Sequence, residues 1–110
     1  MIDDTLKKIE AQVESAEAVP EERRRELIQL LAKLKSEVGE LSQTHDAEAR
    51  SIAGFTQVSA HEATRETRNP QLLDLSLQGL RSSVEGFEKT HPKLVQIVNS
   101  ISNTLSNLGI

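Results

Sequence analysis

Apolar residues recur along most of this chain at alternating spacings of three and four, the period of a helix that buries one face. Leu27, Leu31, Leu34, Val38 and Leu41 step 4-3-4-3, flanked by Ile28 and Leu30, and predict the clearest helix. Pro20, Glu21 and Glu22 open it, with a proline in the first turn and acids at the positive end of the helix dipole. Leu73, Leu77, Leu80, Val84 and Phe87 repeat the same step behind Asn69-Pro70, a cap followed by a proline. Leu94, Val98, Ile101, Leu105 and Leu108 form a last stripe, widened by Val95 and Ile97. It runs from the start signal Thr90-His91-Pro92 to a stop at Gly109, which can close a helix in the left-handed conformation.

Two further helices are less strongly marked. Leu6, Ile9, Val13 and Ala16 make a narrow stripe behind the capping candidates Asp3 and Asp4, and Val19-Pro20 ends it. So short a helix needs a partner to persist. Between Thr44 and Asn69 the pattern is small rather than greasy: Ala49, Ile52, Ala53, Thr56, Ala60 and Ala63 share one face, while Phe55 and Val58 point elsewhere. Thr44 can cap a helix here, with Asp46 and Glu48 in its first turn. The alternative is one long rod continuing the helix before it, weakened at Gly39. No stretch alternates with period two. The expectation is an all-α bundle of four to five amphipathic helices in a single domain, 1–110, with 44–69 an inserted or extended helix.

Two surfaces exceed what one chain needs. Ser76, Gly79, Ser83 and Gly86 run beside the fourth leucine stripe as a strip of small residues, suited to close approach or merely tolerated. The reverse face of the last helix is Asn99, Ser100, Ser102, Asn103, Thr104, Ser106 and Asn107, without a charge. Ser76, Gly79, Ser83, Gly86, Asn99, Ser102, Asn103 and Ser106 are therefore the candidate interface. A symmetric homodimer or higher homo-oligomer is the expected way to complete the bundle.

FEKTHPKL, closing with LSNLGI, resembles the C-terminal signature of a family of small bacterial proteins, catalogued as domain of unknown function forty-four-oh-four. The close likeness covers the last quarter of the chain and the first forty residues are more loosely similar; 44–69 looks like an insertion. The resemblance implies a short helical protein and carries no catalytic residue with it.

Length and composition narrow the function classes. A chain of 110 residues is one domain, and its two Phe with no Trp or Tyr suit packed aliphatic helices. A net charge of −4 argues against a nucleic-acid footprint. In Arg23-Arg24-Arg25 the neighbouring Glu21, Glu22 and Glu26 cancel the field, so a solvated charged face is expected rather than a phosphate site. Without cysteine there is no disulfide or thiolate metal site. The acidic start and the lack of a long apolar run predict a soluble, cytoplasmic protein with no membrane partner.

His45, His61 and His91 invite a metal reading. His45–Glu48 has helical spacing, but Arg65 stands where a second ligand to His61 would be, and His91 sits at a helix boundary beside Phe87. No nucleophile elbow or phosphate loop is present, and acid pairs such as Glu85–Glu88 have no reason to be desolvated. The reading is a non-enzymatic, cofactor-free, self-associating structural or interaction module. The alternative is a small ligand- or metal-binding sensor that uses a groove between helices.

Overall fold

In the computed structural model, which describes residues 2–108, five helices pack into a bundle of 37 × 24 × 21 Å with a Cα radius of gyration of 12.8 Å. They are α1 (Ile2–Ser15), α2 (Glu21–Leu41), α3 (Asp46–Thr64), α4 (Pro70–Ser83) and α5 (Pro92–Leu108). A compact chain of this length has a radius of about 13 Å. A 12.2 kDa monomer exposes about 6,100 Å², and this one exposes 6444 Å². One copy therefore closes its own core.

The leucine stripes are the core. Leu27, Leu31, Leu34, Val38 and Leu41 of α2 are all buried, as are Leu94, Val98, Ile101, Leu105 and Leu108 of α5 and Leu6, Ile9 and Val13 of α1. Gly109 lies outside the described residues. The small-residue helix takes the central place. Among the described residues, α3 alone touches all four other helices, most extensively α4 and then α1. Ala49, Ala53, Ala60 and Ala63 are buried on it, and short side chains are what let several helices approach one axis. Thr56 and Thr64 return their hydroxyl protons to Ile52 and Ala60 carbonyls, both at 2.7 Å, whereas the buried Ser59 hydroxyl on the same helix has no hydrogen-bond partner among the described residues.

Element boundaries differ from the expected ones for identifiable reasons. α1 ends at Ser15, before Val19-Pro20, because Arg24 reaches back to the intervening turn. Its guanidinium donates to the Ala16 carbonyl at 2.8 Å and the Val19 carbonyl at 3.1 Å. Arg24 is thus a clamp rather than part of a solvated face; only Arg23 and Arg25 pair in solvent, with Glu26 and Glu21. Pro20 stands at the N-cap of α2, not inside its first turn. α2 and α3 are separate: the His45 amide closes on the Leu41 carbonyl at 2.7 Å, which moves the N-cap of α3 from Thr44 to His45.

α4 begins as the sequence indicates, with Pro70 at its first position and the Asn69 carboxamide oxygen accepting from the Leu72 amide at 3.1 Å. It stops at Ser83, so Phe87 is not a fifth helical stripe residue. Gly86 turns the chain at φ 93°, a conformation that costs a side-chain-bearing residue. The Glu88 carboxylate accepts its amide at 2.8 Å. α5 is tied to α2 by the Thr104 hydroxyl, which lies 2.9 Å from both the Glu26 carboxylate and the Ser100 carbonyl and shares one proton between them.

Candidate functional site

α3 and α4 form an antiparallel pair joined by residues 65–69, and their outer faces meet in one apolar surface. Phe55 (40 % exposed) and Val58 (48 %) come from α3, and Leu72 (43 %) and Leu75 (56 %) from α4. These are the exposed large hydrophobic residues among the described ones. With Glu62 and Ser76 they line a groove of about 240 Å³. Scattered exposed apolar residues are ordinary, whereas contiguous ones mark a contact surface.

The surface is nearly free of charge. Ser51–Ala60 contains no ionisable residue, and 69–80 contains Asp74 alone, whose carboxylate accepts from the Gln78 amide at 2.8 Å. The Glu62 carboxylate closes one end of the groove with 9 % side-chain exposure, held 2.9 Å from the Arg65 guanidinium. At the other end the Phe55 ring packs on the bare backbone of Gly79.

The small strip beside the leucines of α4 is used within the chain. Ser76 is buried and donates to the Leu73 carbonyl at 2.8 Å, and Gly79 is the floor under Phe55. Ser83 is half-buried and donates to the Leu80 carbonyl. Gly86 has left the helix altogether. The reverse face of α5 divides: Ser102 and Thr104 are buried in the bundle, Ser106 is half-buried, and Asn99 and Asn103 remain exposed. The eight residues singled out in the sequence thus do not come together as one surface. Phe55 and Val58 stood out from the small-residue face of α3, and Leu72 and Leu75 lie off the stripe of α4. The charge-free run over 51–60 is a sequence signal for the α3 half of this surface, and only the packing of α3 on α4 joins it to Leu72 and Leu75.

A second cluster stands at the turns. His45 before α3 and Phe87 and His91 before α5 meet edge to face, with ring centroids 5.5 Å (His45–Phe87), 5.4 Å (Phe87–His91) and 6.3 Å (His45–His91) apart. Each imidazole Nδ1 is hydrogen-bonded to the hydroxyl of the preceding threonine, Thr44 at 2.8 Å and Thr90 at 2.9 Å. Among the described residues no third histidine or carboxylate joins them as a metal-ligand group. His61 stands apart, exposed, with its Nε2 4.0 Å from Glu62. A cleft of about 410 Å³ lies between α1 and α2 and is lined by Glu14, Glu21, Arg24, Arg25, Ile28 and Gln29, charges of both signs. No described helix is long and apolar enough to cross a membrane.

Fold and surface together define an all-α bundle with a closed core and one apolar outer face. The chain belongs to the family described as a domain of unknown function (DUF4404), whose model matches residues 27–110, from the first core leucine of α2 through α5. No curated protein and no solved structure matches it.

Proposed function

We propose that this chain is a non-catalytic protein-interaction module that binds through the outer face of α3 and α4. The observation that carries the reading is the gathering of Phe55, Val58, Leu72 and Leu75 on one charge-poor surface. A folded domain with a complete core gains nothing for its own stability by leaving them in water, and burial against a partner removes that exposure. The interface centres on α3/α4 rather than on α5, whose exposed strip of Asn99 and Asn103 is polar.

The test is the size of the native complex. In extract from the source cell the chain should elute well above its own 12.2 kDa, and Val58→Glu with Leu75→Glu should shift it to the monomer position while leaving the helical signal intact. A wild type that elutes as a free monomer, or a double variant still held in the complex, refutes the reading.

The His45–Phe87–His91 cluster supports a second reading, a small sensor taking a metal or ligand at the turns. Stoichiometric zinc or nickel binding, lost in His45→Ala, would favour it.

A further inference from the structure

We infer that α1 is a releasable arm: it leaves the groove between α2 and α3 as a unit while α2–α5 stay folded, and that groove accepts a helix of α1's own pattern. The first argument is connectivity. Among the described residues α1 packs on α2 and α3 and touches neither α4 nor α5, whereas α2, α3, α4 and α5 close a ring among themselves. Removing α1 therefore breaks no contact between the other four. A helix of 14 residues is marginal in water by itself, so α1 unwinds once it is off the groove.

The second argument is how α1 is seated. Its buried residues are Leu6, Ile9 and Val13, one face at helical spacing. Beside that face Glu10 meets Lys35 of α2 at 3.4 Å and Gln12 meets Thr64 of α3 at 3.5 Å, both longer than a well-formed hydrogen bond. Clefts of about 290 Å³ and 320 Å³ flank the first turn of α1, one toward α3 and one toward α2, with Ile2 in the wall of both. Gly54 lines the first and Gly39 the second, and a β-carbon added at either would meet nothing within 4 Å beyond its own helix. The start of α1 thus lies between two open clefts.

The third argument is the hinge. Arg24 of α2 grips the Ala16 and Val19 carbonyls at 2.8 and 3.1 Å, and Val19 is itself buried. The turn after α1 is therefore fastened from the α2 side, and α1 can swing out from Ala16 without opening the core at Val19. A short terminal element with few buried groups and an independent anchor behind it is the kind of unit that opens below global unfolding. The occupant that the groove selects is an amphipathic helix with apolar residues at i, i+3 and i+7 and an acid at i+4 to meet Lys35, the pattern of Leu6, Ile9, Val13 and Glu10.

Native-state hydrogen exchange on the full chain, at urea concentrations below the global transition, tests the arm. The α1 amides should exchange about tenfold faster or more than those of Val98 and Ile101 in α5, with a weaker dependence on urea. In Ile9→Asp, which puts a charge on the seated face, α1 should lose its protection while α2–α5 keep theirs. A fluorescent peptide of residues 2–17 should then bind that variant, bind wild type more weakly because its own α1 fills the groove, and fail to bind once the peptide itself carries Ile9→Asp. α1 amides that exchange with those of α5 in one cooperative step, or an Ile9→Asp chain that loses protection in all five helices, overturn the arm. An arm that detaches without peptide binding overturns the groove as a helix receptor.

Discussion

The ring of Phe55 on α3 fills the space that a β-carbon on Gly79 of α4 would occupy. The missing side chain at one position is therefore the seat of a half-exposed aromatic at another, and the two helices meet through it. Gly79→Ala should not simply strengthen α4. The gain in helix propensity, about 1 kcal/mol, is opposed by the displacement of the ring, which is free to swing toward solvent. A nearly unchanged melting temperature with an altered environment of the Phe55 ring by NMR is the expected result. Gly79→Val, with a bulkier and χ1-restricted side chain, should lower the melting temperature.

Gly39 and Gly86 should respond in opposite directions. Gly39 is exposed within α2 with open space where a Cβ would go, so Gly39→Ala should stabilise by about 0.8–1 kcal/mol. Gly86 has φ 93°, and Gly86→Ala should destabilise by about 1–2 kcal/mol although its surroundings are equally open. Urea denaturation of the two variants measures both signs.

The three consecutive arginines should not be equivalent. Arg24→Ala removes two hydrogen bonds that hold the turn between α1 and α2 and should cost about 1–2 kcal/mol. Arg23→Ala and Arg25→Ala break exposed ion pairs and should each change stability by less than about 0.5 kcal/mol. Thermal melts of the three single variants test this ranking.

Ser102 and Asn103 are neighbours in sequence with opposite environments. Ser102 is fully buried and its hydroxyl makes no hydrogen bond among the described residues, whereas Asn103 is exposed. Ser102→Ala should be neutral or stabilising, since it removes a desolvated polar group. Ser102→Glu should destabilise by about 3 kcal/mol or more because it buries a charge, and Asn103→Lys should stay within about ±0.5 kcal/mol. Chemical denaturation of the three variants provides the comparison.

Asn69→Ala should cost about 1 kcal/mol by leaving the Leu72 amide without its cap. A loss below a few tenths of a kcal/mol in denaturation would show that solvent replaces the cap.

By itself the sequence determined the all-helical class, the core stripes and the proline-marked starts of α4 and α5. Leu27 to Leu41 and Leu94 to Leu108 are buried at the positions their spacing indicates, because a helix with one apolar face has one way to hide it. Proline and capping signals are equally local: Asn69 caps α4 through an amide three residues away. Tertiary structure alone decided which helix stands at the centre and which second faces are covered. The alanines of α3 carry little hydrophobic signal, yet their small size admits four neighbours to that helix. Ser102 and Thr104 belong to a charge-free face that the sequence offers to a second copy, yet they are buried within this chain, and Arg24 looks like its two neighbours until the chain turns back beneath it. Phe55, Val58, Leu72 and Leu75 are modest departures from two separate stripes. They become one surface only when α3 and α4 lie antiparallel, since periodicity records which residues share a helix face and not which two faces lie side by side.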